Sequence, residues 1–178
     1  MIRTERLVLR PIEARDREAL IAILTDPEVM RNLVRHPTRD TAMAALERHI
    51  GYRVTHGLGF WSVEENEQVV GLCGLKPGAP GTPIEGEIEA GWLLARSCWG
   101  RGIATEAARA SLAHAWAETA AARVVAITAA SHAKSQDVMV RLGMRRLPDG
   151  DFDHPLYDVG DPMRATVTFA VDRPGSRH

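Results

Sequence analysis

Residues 97–107 read SCWGRGIATEA. Two glycines stand two apart, Arg101 lies between them, and a run of helix formers follows at once. Just upstream, EIEAGWLLA (87–95) has the length and apolar character of a strand. A strand therefore ends near Ala95, a glycine-bearing turn follows, and a helix covers about 102–119. The first turn of a helix exposes N–H groups with no intrahelical partner and carries the positive end of the dipole. Glycine lets a bulky anion approach without a Cβ in its way. Together these features make a cradle for phosphate, to which Arg101 can add a charge. The dinucleotide fingerprint fails, because Thr105 stands where its third glycine belongs. The P-loop fails as well, because no Gly-Lys-Ser/Thr follows. Taken alone, the stretch fits a ligand-free turn equally well.

Working outward, RTERLVLRP (3–11) alternates and predicts a strand, with Leu7 and Leu9 on one side and Arg6, Val8 and Arg10 on the other. Residues 14–24 carry a helical stripe of Ala19, Leu20, Ile23 and Leu24. Asp26-Pro27 restarts a helix, and Asp40 is the expected N-cap of a third over 41–56 that ends at Gly57. FWSVEENEQVVGLCGL (60–75) predicts a hairpin turning at Glu65-Asn66. KPGAPGTPIEGE (76–87) reads as a long loop. VVAITAA (124–130) is apolar on both faces, as a central strand is. SHAKSQDVMVRLGM (131–144) predicts a helix ended by Gly143, and RATVTFAV (164–171) a last strand. The whole reads as one domain over 1–172 with a frayed tail at 173–178. The class is mixed α/β, with helices on both faces of one sheet.

The chain has 178 residues, 45% hydrophobic and 25% charged, enough for a packed core. Its net charge of −1, with both signs interspersed, argues against a nucleic-acid face, which needs a basic stripe. Two cysteines, Cys73 and Cys98, make no disulfide framework, and the seven histidines show no metal-ligand spacing. MIRTERLVLRP lacks the apolar stretch of a signal peptide, and no run has the length of a membrane span. The expectation is a cytoplasmic protein with no metal, no nucleic-acid partner and no membrane.

WLLARSCWGRGIATEAARASLAHAW resembles the acyl-CoA-binding motif of the GNAT N-acetyltransferases, whose [Q/R]-x-x-G-x-[G/A] core aligns with Ser97–Gly102. ASHAKSQDVMVRLGMRRL resembles their second cofactor motif, N-x-x-S-x-x-V-x-x-x-L-G-M. With TERLVLR at the N-terminus, the set is similar to the ribosomal-protein-alanine (RimJ/RimL) branch, in matching order over roughly residues 2–170. Two departures stand out: Ser97 replaces the usual Gln or Arg, and His132 replaces the usual Asn.

The resemblance implies a GNAT fold, with a mixed, mostly antiparallel sheet of about seven strands, splayed at the cofactor site. It implies acetyl transfer from acetyl-CoA to a primary amine, in that branch a protein N-terminal α-amine. The pyrophosphate would rest on amides of Gly100, Arg101, Gly102, Ile103, Ala104 and Thr105. The pantetheine would lie along the backbone of Trp92, Leu93 and Leu94, with His132 near it. Glu89, two residues before Gly91, is the candidate base, and Glu87, of the same strand parity, a weaker one for base or acceptor binding. Ser135 is the candidate hydrogen-bond donor to the leaving thiolate, because the tyrosine of many relatives is Met139 here; a helix-start role fits it too. His154 lies in a loop placed to meet the acceptor. Asp26, Glu28, Asp149, Asp151 and Asp153 suit either a cationic acceptor or plain solvation. A detoxifying acetyltransferase for a small amine, and a non-catalytic acyl-CoA-binding regulatory module, stay open on sequence, as does a homodimer.

Overall fold

A computed structural model describes residues 1–175. Its strands are β1 (Ile2–Arg3), β2 (Leu7–Arg10), β3 (Gly59–Glu65), β4 (Gln68–Pro77), β5 (Ile88–Leu94), β6 (Arg123–Ala129), β7 (Arg145–Arg146), β8 (Phe152–Asp153) and β9 (Ala165–Asp172). Its helices are α1 (Arg17–Leu24), α2 (Pro27–Met30), α3 (Arg39–His56), α4 (Ile103–Glu118) and α5 (Ala133–Arg141). One sheet runs β1-β2-β3-β4-β5-β6-β9-β7, with β8 paired to β9. The sheet has nine strands against about seven expected; β1, β7 and β8 are two-residue pieces, too short to leave an alternation in sequence.

Every neighbouring pair is antiparallel except β5 and β6. Those two run parallel and share a single register pair, Glu89 with Val125. Beyond it they diverge toward Leu94 and Ala129, and the sheet opens at its centre. Side chains alternate across the sheet. Ala90 and Leu94 pack toward α4, while Leu93 packs with Leu24, Leu46, Phe60 and Leu72 under α1–α3. Glu89 and Gly91 share the α1–α3 face with Leu93. α4 covers the opposite face with Ile103, Ala107, Ala108, Leu112 and Ala115, and α5 covers it with Met139.

Several boundaries differ from the sequence reading. The hairpin turns at Asn66-Glu67, both with positive φ (50° and 63°), the backbone that matches the twist of a two-residue hairpin. Thr38, not Asp40, caps α3, in a reciprocal box with Thr41. β4 runs on to Pro77, which brings Lys76 out of the expected loop and opposite Glu89. Arg173, expected in a frayed tail, donates to the carbonyls of Ala121, Trp116 and Thr119. Residues 176–178 of that expectation lie outside the described residues.

Arg10, on the side of β2 opposite Leu7 and Leu9, is buried. Its guanidinium grips Asp16 through two hydrogen bonds of 2.7 and 2.6 Å and also meets Glu64. Ser62 Oγ and the Glu13 amide each donate to Asp16 at 2.8 Å. Burial alone would raise the Asp16 carboxyl, yet Arg10, Glu13 and Ser62 hold it below its ordinary value. A carboxyl depressed in the fold adds stability above its unfolded range, and that stability is lost as pH falls through the depressed value. Asp16→Ala removes two charge-assisted hydrogen bonds from buried Arg10, which keeps Glu64 as a partner, and is expected to cost about 1.5–3 kcal/mol. Denaturant unfolding at neutral pH measures it, and the difference from wild type should shrink in acid.

Candidate active site

On the α4 face, a short 3-10 turn (Arg96–Cys98) leads from β5 into the glycine stretch. The indole of Trp99 donates to Leu94 O at 3.0 Å and ties that turn to the end of β5. Gly100 and Gly102 both have left-handed backbone, at φ 74° and 79°. A Cβ on Gly100 would meet nothing within 4 Å, and one on Gly102 only Arg6 Nη2 at 3.6 Å. Space that no protein atom fills stands over both glycines. The first bond inside α4 runs from Glu106 N–H to Gly102 O at 3.0 Å. The amides of Ile103, Ala104 and Thr105 therefore face out of the helix start. The start is held rigidly, because Glu106 accepts from Thr4 Oγ1 at 2.6 Å, the Arg6 amide at 3.0 Å and Arg6 Nε at 2.7 Å. Backbone donors and positive dipole suit a pyrophosphate. The Arg101 guanidinium, however, pairs with Glu65 at 2.7 Å, so its charge is shared with a carboxylate.

α5 begins on the same face. His132 holds the N-cap position without capping; its Nδ1 lies 3.1 Å from Thr128 Oγ1 on β6. Burial, and then Lys134, keep this imidazole below its ordinary pKa. Ser135 is the third residue of α5, past the N-cap position that His132 holds, and it is buried. An N-cap role therefore does not account for it. Lys134 sits over the Trp99 ring, 4.9 Å from its centre, and so links the two helix starts.

On the α1–α3 face, Glu89 is only 6% exposed, at the point where β5 leaves β6. Burial raises its carboxyl above the ordinary value, against the opposing pull of Lys76. The Lys76 ammonium donates to Glu89 Oε2 from the opposite position on β4. The Phe60 ring lies across Gly91, where a Cβ would meet its Cζ at 2.5 Å. His49 of α3 stacks on Phe60 with ring centres 4.1 Å apart. Its imidazole is pushed down to about 3, first by burial and then by Arg48 and Lys76, and stays neutral. Its Nδ1 is buried without a hydrogen-bond partner among the described residues.

The segment between β8 and β9 roofs this face. His154 is flanked by Phe152 and Tyr157, with ring centres 5.6 and 5.3 Å away, and its Nδ1 accepts from the Leu156 amide at 3.3 Å. Burial, then Lys76, lowers its pKa. Tyr157 Oη donates to Leu33 O at 2.9 Å and Arg35 pairs with Asp161 at 2.7 Å, so the roof is fastened to the segment after α2. Glu87 stands apart, just before β5, and pairs with Arg123 at 2.5 Å. The two line a groove of about 610 Å³ with Leu147 and Arg145, at the end of the sheet away from the glycine turn.

The structure thus gathers the predicted residues into two half-sites on opposite faces, joined by the opening between β5 and β6. One half holds Gly100–Thr105, His132 and Ser135; the other holds Glu89 below the roof of His154. The side chains of Trp92 and Leu94 pack toward α4 and that of Leu93 toward α1–α3, which leaves only their backbone for the opening. Sequence reasoning missed Lys76 and His49. Lys76 was hidden in a Pro/Gly-rich loop; His49 was legible as the third member of the α3 stripe Ala42, Leu46, His49. Among the described residues, no cluster of three or more His, Cys, Asp or Glu is arranged to hold a metal, and no helix is long and apolar enough to cross a membrane.

Comparisons with known proteins agree with this geometry. Residues 6–145 match the acetyltransferase (GNAT) domain family. An uncharacterised Bacillus subtilis protein, YkkB, is 31% identical over 150 residues, covering 79% of this chain and 83% of its own. A GNAT-family acetyltransferase structure from Bordetella pertussis superposes with a TM-score of 0.77 at 26% identity, over 95% of this chain and 97% of the other. RimL, a ribosomal-protein α-N-acetyltransferase solved with coenzyme A, has a TM-score of 0.75 at 18% identity, covers 95% of each chain, and shares the fold. The chain therefore belongs to the GNAT acetyltransferases and is an acetyl-CoA-dependent transferase.

Proposed function

We propose that this enzyme acetylates a single α-amine, as at a peptide N-terminus, with Glu89 as general base. The observation that carries the reading is Glu89 itself, a buried carboxylate at the one place where β5 and β6 still pair. Acetyl-CoA enters from the α4 face and the amine from the α1–α3 face, so donor and acceptor meet at the opening. The amine attacks the thioester carbonyl; the C–N bond forms, the C–S bond breaks, and the amine proton passes to Glu89 directly or through one water. A carboxyl raised above its ordinary value is a stronger base for that proton than a solvated glutamate. Backbone N–H groups near Leu93 and Leu94 are the proposed donors to the oxyanion.

Ser135 is the proposed donor to the departing thiolate, because it is buried in the first turn of α5, on the same face as the glycine turn. A neutral hydrogen bond is worth about 0.5–1.5 kcal/mol. Ser135→Ala is therefore expected to slow turnover by about two- to tenfold, with the acetyl-CoA Kd unchanged; single-turnover kinetics beside equilibrium titration separate the two.

Charge favours an acceptor with one amine over a polyamine. Asp26 pairs with Arg96, Glu28 with Arg31, Asp151 with Arg146, Asp153 with Arg164 and Asp161 with Arg35. These five carboxylates are paired within the chain, while Asp149 and Asp158 form no ion pair among the described residues. RimL, described as an α-N-acetyltransferase, has this fold, and so does a spermidine N-acetyltransferase from Vibrio cholerae, so the fold by itself does not choose between the acceptors. A second reading, a small free amine, is favoured by the fastening of the roof through Tyr157 and Asp161, which narrows the entrance. Release of free thiol from acetyl-CoA over a panel of N-terminal peptides, monoamines and polyamines separates the readings. Peptide turnover supports the first, monoamine turnover alone supports the second, and polyamine preference contradicts both.

A further inference from the structure

We propose that Lys76 is a positioning residue of the transfer reaction: it is the counter-ion that lets a carboxylate buried in the sheet work as a base. The inference rests on the reading of Glu89 as that base. Lys76 and Glu89 are direct cross-strand partners in the β4–β5 ladder, so both side chains leave the same face. The ammonium is held on Oε2 alone. Oε1 has no protein partner among the described residues, yet it is absent from the buried atoms that lack one, of which His49 Nδ1 is the single case. One oxygen is thus anchored and the other is open to an acceptor or a water. Lys76 is itself partly buried, its side chain 23% exposed, so solvent screens the pair only weakly.

Nothing else near Glu89 does this work. Its β6 neighbour is the apolar Val125. From α3 comes His49, which burial keeps neutral. From the roof comes His154, held below its ordinary pKa by burial and by Lys76. At the start of β5, Glu87 is turned to Arg123. Among the described residues, Lys76 is the one cation paired to Glu89, and it also lowers the pKa of both histidines.

The sign follows from the charges. Burial raises the Glu89 carboxyl and Lys76 opposes the rise. Lys76→Met removes the opposition, so a protonated base persists to higher pH. The acid limb of kcat/KM is expected to move up by about one pH unit or more. Below the wild-type limb the loss reaches about tenfold for each unit of displacement, and it is recovered in alkaline buffer. Lys76→Arg, which keeps the cation, is expected to restore the limb. Titration of isotope-labelled glutamate carboxyls by NMR in the free protein should show the same displacement of one carboxyl. A purely structural Lys76 would give a loss equal at every pH and an unmoved carboxyl, and that result overturns the proposal. Glu89→Gln is run in parallel. If it keeps full activity, the base assignment fails and the role of Lys76 falls with it. If it is inactive while Lys76→Met leaves the acid limb in place, only the proposal for Lys76 fails.

Discussion

Glu89→Gln is expected to cut kcat by about a hundredfold or more and to leave the acetyl-CoA Kd unchanged. Glutamine keeps the volume of glutamate, and its amide oxygen accepts from Lys76 in place of Oε2, so the local packing survives. It cannot take a proton from an ammonium. The effect falls on chemistry and not on donor binding, because Glu89 lies on the α1–α3 face and the glycine turn on the other. The wild-type rate should fall as pH drops through the raised Glu89 value, and the variant should lose that dependence. Pre-steady-state rates across pH, beside calorimetric Kd values, measure both. A variant with wild-type turnover would remove Glu89 from the chemistry.

Gly102→Glu attacks the other half-site. A Cβ there meets only Arg6 Nη2 at 3.6 Å, so the new side chain enters open space and not the core. The left-handed backbone, at φ 79°, adds roughly 1–2 kcal/mol of strain. That lowers stability without abolishing the fold. The carboxylate, however, stands at the start of α4 where a phosphate is to rest. Juxtaposed like charges cost several kcal/mol, and about 1.4 kcal/mol is tenfold in affinity. The acetyl-CoA Kd is therefore expected to rise by about a hundredfold or more. Gly102→Ala separates the causes, since it brings the strain and the Cβ without the charge and should lose less affinity than Gly102→Glu.

The parts of this protein legible in its sequence are those set by local periodicity. The stripe of α4, the alternation of β5 and the glycines between them mark the cradle, and the core follows from the same periods. Glu89 was singled out by the resemblance, in which a glutamate stands two residues before the position of Gly91; strand alternation alone assigns it no role. What stayed hidden depends on register between distant segments. Pro77 and the glycines after it end any local strand signal, so Lys76 read as loop until pairing with β5 placed it on Glu89. Alternation put Arg10 opposite Leu7 and Leu9 but not inside, because no local pattern announces that Asp16 and Glu64 converge on it and that Ser62 supports Asp16. Arg101 reads as a charge for phosphate, and only the fold shows Glu65 beside it. His132 stands where the resemblance led to Asn, and its bond to Thr128 needs α5 docked on β6 before it exists.

The central claim is that the glycine turn at the start of α4 binds acetyl-CoA and delivers it to the opening between β5 and β6. Calorimetric titration of the purified chain with acetyl-CoA, with Gly102→Glu as the paired sample, tests it most directly. The account predicts saturable binding with one acetyl-CoA per chain for the wild type, and binding lost in a variant that remains folded. Equal binding by both proteins, or none by the wild type, would contradict it.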